Sequence, residues 1–161
     1  MVESWKKHHG SKFSLQYIYD NNLVDKIKGF ELKVHSDGNF TADMVLKGGL
    51  GAADKFVEFK SWKTGSFSLL NGTQYKNQLK SYMQSGNFEQ IFDANKLIKD
   101  GVTNPDNFVK QKIVDMIKNN ADEFWNDENV RPFFIKNNIQ SLDKLKEINT
   151  NSNIISNFKS K

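Results

Sequence analysis

Alternating apolar and polar residues predict two β-strands in the first half of the chain. Residues 41–46 and 56–62 both alternate, and a glycine-rich stretch joins them as a turn. Because successive side chains of a strand point to opposite faces, Glu58 and Lys60 share one face. Asp43 lies on the face opposite its apolar neighbours. If the two strands pair through the turn, Asp43 comes opposite Glu58.

Similar patterns on either side place these strands in a larger fold. The predicted elements are a helix from residue 11, strands at 29–35, 41–46 and 56–62, a helix from about 73 to 85, and a strand at 87–93. Asn71 or Thr73 is the expected N-cap of the second helix. The predicted fold class is therefore α/β (α+β), with a mixed central sheet of about four strands in the order helix, three strands, helix, strand, flanked by helices.

The C-terminal part predicts helices that cover the sheet. A long helix begins after Asn104, and another covers residues 141–148. Residues 129–135 predict a short edge strand, because Pro132 cannot donate to a central ladder. From Asn149 onward the chain is rich in Asn, Ser and Lys, and we expect it to fray.

Composition narrows the class of protein. At 161 residues the chain fits one domain, 1–161, with a core at about 11–125 and a C-terminal extension at about 126–161. It has no cysteine, which excludes disulfides and thiolate metal sites. The net charge of +4 favours a polyanionic partner. No apolar run is long enough to span a bilayer, so we expect a soluble protein.

Asp43 and Glu58 together predict a cation site. Two converging carboxylates do not both ionise readily unless a cation lies between them. Mg²⁺ is the natural cation, because proteins commonly hold it with one or two carboxylates, water and substrate phosphate. Lys60 is placed to orient the attacking water and to stabilise charge on a phosphate. The pattern is typical of a metal-dependent phosphodiesterase.

The helix after these strands carries a polar row. Gln74, Gln78 and Tyr82 recur at every fourth position and share one face. Lys76 and Lys80 on the same helix are available to phosphate groups. We interpret Gln74, Lys76, Lys80 and Tyr82 as nucleic-acid contacts. A polar face turned to solvent is the alternative.

These residues resemble a known nuclease superfamily. The order of motifs resembles that of the PD-(D/E)XK superfamily: Asp43 comes first, then Glu58-Phe59-Lys60, then a helix. In that helix, Gln78 and Tyr82 match the QxxxY signature of the superfamily's RecB-like branch. Ala42 precedes Asp43 where the superfamily commonly has proline. The resemblance covers roughly residues 11–100 and implies a restriction-endonuclease-like core.

The resemblance also implies roles for individual residues. Asp43, Glu58 and the Phe59 carbonyl would bind Mg²⁺ or Mn²⁺, and Lys60 would be the catalytic lysine. Gln78 and Tyr82 would support the site and the nucleic-acid backbone. In this superfamily the helix before the sheet can add a further acid, for which Glu3 and Asp20 are the candidates here.

The tripeptide alone is a weak signal, because Glu31-Leu32-Lys33 has the same spacing. Only Glu58-Phe59-Lys60 follows a strand-borne Asp and precedes QxxxY. A solvated strand face, with Glu58 and Lys60 in an ordinary cross-strand charge pattern, is the alternative.

The predicted function is metal-dependent hydrolysis of phosphodiester bonds in DNA with low sequence specificity; nothing in the residues themselves excludes RNA. Compact cores of this kind resemble C-terminal toxin domains of bacterial polymorphic effectors. Such a domain would act in the cytoplasm of a target cell and have a cognate immunity protein as partner. The alternative is a non-catalytic nucleic-acid-binding or protein-interaction module that keeps the fold.

Overall fold

The computed structural model describes residues 12–36 and 38–161. The strands are β1 Ile27–Lys33, β2 Thr41–Leu46, β3 Lys55–Lys60, β4 Phe88–Phe92 and β5 Phe158–Ser160. The α-helices are α1 Lys12–Asp20, α2 Thr73–Ser85, α3 Ala94–Lys99, α4 Pro105–Asn119, α5 Ala121–Asn126, α6 Arg131–Lys136 and α7 Leu142–Lys146. Three 3₁₀ helices cover Val24–Lys26, Thr64–Asn71 and Asn153–Asn157. None of the helices in these ranges has the length and apolar character needed to cross a membrane.

The strands form one mixed sheet in the order β1-β2-β3-β4-β5. β1, β2 and β3 are antiparallel neighbours, whereas β4 runs parallel to β3 and β5 parallel to β4. The predicted α+β class, with helix, three strands, helix and strand in that order, is confirmed. The sheet has five strands rather than about four, because β5 adds to the edge beyond β4.

The two faces of the sheet pack against different layers. On one face, Val57 of β3 packs with Ile18 of α1 and with Met44 and Ile91 of the neighbouring strands. The other face carries a larger core that includes α2 and the C-terminal helices. Glu58, next to Val57 on β3, points to this larger core by the alternation of side chains. A carboxylate therefore enters the better-covered side of the sheet.

The predicted edge strand at 129–135 is wrong. Most of this segment belongs to helix α6, which has Pro132 in its first turn. The first N–H groups of a helix have no intrahelical acceptor, so the missing N–H of proline costs little there. Phe133 and Phe134 are buried in the larger core. The missing N–H of proline is tolerated both at a sheet edge and at a helix start. Burial of the Phe133 and Phe134 rings favours the helix here.

The chain after Asn149 does not fray. A 3₁₀ helix leads into β5, which pairs with β4. Phe158 is fully buried, and Lys159 Nζ lies 2.8 Å from Glu89 Oε1 on β4. The expectation rested on average composition, whereas a few apolar residues at inward positions are enough to hold this segment.

Helix α2 begins differently from the prediction. Its N-cap is Gly72 rather than Asn71 or Thr73, because a 3₁₀ helix, not a loop, runs up to Asn71. It ends at Gly86, whose φ of +81° is the left-handed conformation common after a helix. These two glycines bound the helix that faces Glu58.

Candidate active site

The site begins where strands β2 and β3 stop pairing. Their antiparallel ladder ends at Met44 and Val57. Beyond this pair the Phe59 N–H donates to Asp43 Oδ2 at 2.7 Å. A side-chain carboxylate has therefore taken the place of a backbone acceptor, and it lies in the gap between the two strands.

The Phe59 carbonyl points to the same gap. Phe56 N–H donates to Asn87 O, and Lys60 O accepts from Asp93 N–H, so even-numbered residues of β3 direct their backbone groups to the β4 side. Backbone groups alternate sides along a strand, and Phe59 therefore directs its carbonyl to the β2 side. The predicted third oxygen donor lies on the correct side of its strand.

Glu58 is held by three donors. It is 6% exposed, and Oε1 accepts from Lys60 Nζ at 2.7 Å and from Gln78 Nε2 at 3.1 Å. Oε2 accepts from the Tyr82 hydroxyl at 2.7 Å. Lys60 Nζ also donates to Gln78 Oε1 at 3.1 Å. These four residues, called the Glu58 network below, are brought together as the sequence predicts.

Helix α2 supplies two residues of the Glu58 network. Gln78 and Tyr82 are one turn apart on the face toward β3. Tyr82 is fully buried, and burial, followed by the charge of Glu58, raises its pKa well above the ordinary value for tyrosine. Its hydroxyl therefore stays protonated and acts as a donor to Glu58. Gln74, one turn earlier, is exposed at the start of the helix.

The carboxyl group of Asp43 has a raised pKa. Burial, followed by the negative charge of Glu58, raises the pKa of Asp43 to about 7. The Phe59 N–H and the Lys60 charge oppose this shift without cancelling it. A carboxyl group that holds its proton near neutral pH is a group that a cation would help to ionise.

Two aromatic rings lie close to the Lys60 ammonium. Lys60 Nζ lies 5.6 Å from the centroid of Trp62 and 5.9 Å from that of Tyr75, within the range of cation–π attraction. The Tyr75 hydroxyl donates to Gln90 Oε1 at 2.5 Å. Gln90 pairs with Glu58 in the β3–β4 ladder. The two rings and Gln90 therefore border the Glu58 network.

Sequence reasoning missed Trp62, Tyr75 and Gln90. Gln90 is fully buried, and its Nε2 has no hydrogen-bond partner among the described residues. The available signal was a polar residue between Phe88 and Phe92, at an inward position of an apolar strand face. A buried amide at such a position requires polar neighbours.

The predicted phosphate contacts are ion-paired in this structure. Lys76 Nζ lies 2.6 Å from Glu123 Oε2, and Lys80 Nζ lies 3.0 Å from Glu123 Oε1. Lys80 also lies 3.7 Å from Asp127 Oδ2. A phosphate bound by either lysine would have to replace these carboxylates of α5 and the loop after it.

Asp20, one of the two further acids considered for the site, lies away from the Glu58 network. Asp20 is exposed at the end of α1, and its Oδ1 accepts from Gln16 Nε2 at 2.7 Å. It lines a cavity of about 730 Å³ together with Tyr17 and Lys161. Glu3 lies outside the described residues. The structure therefore gives Asp43 and Glu58 no third acid from α1.

The donor set fits a hard divalent cation. Two carboxylates and one backbone carbonyl are the oxygen ligands that Mg²⁺ and Mn²⁺ prefer, with water and substrate completing the shell. Over residues 12–36 and 38–161, no group of three or more His, Cys, Asp or Glu residues is arranged to hold a metal. The site fits the ion through the chemistry of its two acids and the carbonyl.

Comparisons with known proteins do not classify this chain. Neither a family profile, nor a curated protein, nor a solved structure matches it.

Proposed function

We propose that this chain is a metal-dependent nuclease that hydrolyses phosphodiester bonds in DNA with low sequence specificity. One observation carries the proposal: a buried Glu58, bound to Lys60, Gln78 and Tyr82, lies beside an Asp43 whose carboxyl group is desolvated. Such an arrangement costs free energy of folding, because buried charges are expensive, and buried carboxyl groups with shifted pKa values are typical of functional sites. Its residue types are those of the PD-(D/E)XK pattern.

Asp43, Glu58 and the Phe59 carbonyl are the groups that would hold Mg²⁺ or Mn²⁺. When bound, the ion supplies positive charge to the phosphate and lowers the pKa of water. Glu58 keeps its orientation through the donors from Gln78 and Tyr82. Fixed ligands of this kind keep a metal site in one geometry.

Lys60 is the group that would meet the reacting atoms. Its ammonium has three N–H bonds, and Glu58 and Gln78 accept two of them. In this proposal the third N–H would donate to the attacking water or to a phosphate oxygen. Charge stabilisation by a fixed cation in a partly dry site is the larger part of the expected rate effect.

The choice of DNA, delivery as a toxin into the cytoplasm of a target cell, and an immunity protein as partner rest on the motif resemblance alone. The net charge of +4 suits a polyanionic substrate of either kind. DNA and RNA are therefore both substrates in the experiment below.

A second candidate is a non-catalytic nucleic-acid-binding or protein-interaction module. Lys60 and Glu58 form an ion pair at 2.7 Å without any metal, and their side chains are only 13% and 8% exposed. Such a pair is also consistent with a purely structural role. Binding of nucleic acid without dependence on divalent ions would favour this candidate.

The test is cleavage of supercoiled plasmid, linear duplex and RNA by the purified protein with Mg²⁺, Mn²⁺ or EDTA. Asp43→Asn is the test variant, and Asp25→Asn, an exposed acid outside the site, is its matched control. The proposal expects cleavage that needs the ion and is lost only in Asp43→Asn. Absence of cleavage with either ion, or equal cleavage by both variants, would contradict it.

A further inference from the structure

A cavity of about 370 Å³ opens next to the Glu58 network. Lys60 and Gln78 belong both to the network and to the cavity wall. The other lining residues are Trp62 in the segment after β3, Leu69 of the 3₁₀ helix before α2, and residues 72–75 at the start of α2. A group in this cavity would therefore lie next to Lys60 Nζ, the atom that meets the phosphate in the proposed function.

Aromatic packing makes one wall of this cavity, called the Lys60 cavity below. The Trp62 ring is half-buried and meets Phe67 edge-on at 5.5 Å and Phe92 at 5.7 Å between centroids. The Tyr75 ring lies 5.8 Å from Trp62. Because these neighbours fix both rings, the wall is already formed before any ligand arrives.

Polar amides and one exposed aliphatic side chain complete the lining. Gln74 and Gln78 offer carbonyl and amino groups, which can match the hydrogen-bonding edge of a flat ring. Leu69 is 57% exposed at the same cavity. Of the described residues that line it, Lys60 alone is charged. The lining suits a planar, neutral, hydrogen-bonding ligand that carries an anionic group toward Lys60.

A nucleobase attached to its phosphate has this chemistry. We propose that the Lys60 cavity is a subsite for one unpaired base next to the scissile phosphate, so that single-stranded or frayed nucleic acid is the preferred substrate. This inference rests on the proposed nuclease function. A base inside a protein pocket has left its stack and its partner, which costs least in a single strand. Stacking on aromatic side chains and amide contacts then hold it.

The surroundings of α2 supply a matched control. Gln84 is exposed on the same helix but lines a different cavity, with His35 and Asn39. Ile98 of α3 is 55% exposed and lines the 730 Å³ cavity that includes Asp20, not the Lys60 cavity. The double variant Leu69→Ala with Gln74→Ala removes two open sides of the Lys60 cavity. The double variant Ile98→Ala with Gln84→Ala makes the same chemical changes elsewhere.

The experiment uses end-labelled oligonucleotides of DNA and of RNA: the intact single strand, the same strand with one abasic position, and the intact strand paired with its complement. Cleavage at each bond is read from the fragment lengths, with Mg²⁺ or Mn²⁺ present. In the wild type and the control double variant, we expect cleavage beside the abasic position to fall on the order of tenfold relative to the same bond in the intact strand. In the Leu69→Ala, Gln74→Ala variant this difference should shrink to within about twofold.

Three outcomes separate the two proposals. Cleavage that ignores the missing base, in an otherwise active wild type, overturns the subsite and leaves the nuclease proposal standing. Cleavage of a fully paired duplex faster than of the single strand also overturns the subsite. Absence of cleavage of every oligonucleotide overturns the nuclease proposal, and the subsite falls with it.

Discussion

The chain contains the same Glu-x-Lys sequence twice, in very different surroundings. Glu31 and Lys33 lie on β1 and are both exposed, and the Thr41 hydroxyl donates to Glu31 Oε2 at 3.4 Å. Glu58 and Lys60 lie on β3, where Glu58 accepts three hydrogen bonds and is 6% exposed. Identical spacing therefore gives two surface charges in one place and a buried network in the other.

The position of the strand in the sheet causes this difference. β1 is an edge strand, and Glu31 has a φ of +54°, which is unusual for a residue with a side chain. β3 is bounded by β2 and β4, and α2 covers the face that carries Glu58. The Glu-x-Lys spacing alone does not create a candidate site. Glu58 differs from Glu31 because it is buried and hydrogen-bonded by residues of α2. The first motif is therefore an internal control for the second.

The largest expected effect is on activity. Lys60→Ala removes the ammonium that Glu58 and Gln78 orient, and we expect the rate of phosphodiester cleavage to fall roughly 10²–10⁴-fold. Lys33→Ala should change the rate by less than about twofold, because Lys33 is exposed on an edge strand. Both rates are measured on the same labelled substrate with Mg²⁺. Equal losses in the two variants would remove the distinction between the motifs.

The next effect is on stability. Glu58→Ala removes the carboxylate shared by the Lys60 ammonium and the Tyr82 hydroxyl, and the ammonium keeps Gln78 as an acceptor but loses its counter-charge. We expect the free energy of unfolding, measured in urea, to fall by about 3 kcal/mol. Glu31→Ala should stay within about 0.5 kcal/mol of the wild type. The comparison is made in EDTA, so that no ion contributes. If the Glu58→Ala and Glu31→Ala proteins are equally stable, the Glu58 network contributes little to the free energy of unfolding.

A third effect depends on pH. The pKa of Asp43 rises from 3.8 to about 7 on folding, mainly by burial. Between about pH 4 and pH 7 the folded protein therefore binds more protons than the unfolded chain, and the contribution of Asp43 to stability falls as the pH rises. At about pH 8, Asp43→Asn should stabilise the metal-free protein by about 2 kcal/mol.

At about pH 5 this advantage should largely disappear, because Asp43 is then protonated in the folded protein. Asp25→Asn is the control, and urea unfolding at the two pH values measures both variants. A pH-independent gain for Asp43→Asn would argue against a buried, titrating Asp43.

The smallest effect concerns the ion pairs of Glu123, which are neither as buried as the Glu58 pair nor absent, as ion pairs of Glu31 and Lys33 are among the described residues. Glu123 pairs with Lys76 and Lys80 on the outer side of α2, at 39% side-chain exposure. Glu123→Gln would remove an ion pair from each lysine, leaving Lys80 only its contact with Asp127 at 3.7 Å. We expect nucleic-acid affinity at low salt to rise about two- to fivefold, with a steeper salt dependence. Glu147→Gln, which disturbs an exposed pair with Lys144, is the control. An unchanged salt slope would exclude Lys76 and Lys80 from phosphate binding.

Local periodicity predicts much of what lies close together in sequence. Alternation along β3 places Glu58 and Lys60 on one face, and helical spacing places Gln78 and Tyr82 on the face opposite them. The hairpin order of β1, β2 and β3 follows from short connections between alternating segments. These short-range rules are enough to assemble the Glu58 network.

Long-range packing is what the sequence did not reveal. Glu123 lies 47 positions after Lys76, and no periodic pattern connects them. β5 joins the sheet beside β4, although its composition predicts a frayed tail. Gln90 pairs with Glu58 only because β4 lies parallel to β3. In each case the partner comes from a distant segment, and its placement depends on the packing of the whole core.

The central claim is that Asp43 and Glu58 form a divalent metal site, and Mn²⁺ binding tests it most directly. Mn²⁺ is titrated into metal-free protein, and the EPR signal of the free ion reports how much is bound. We expect saturable binding in the wild type and in Glu31→Gln, and loss of that binding in both Asp43→Asn and Glu58→Gln. Absence of binding by the wild type, or unchanged binding in Asp43→Asn, would contradict the account.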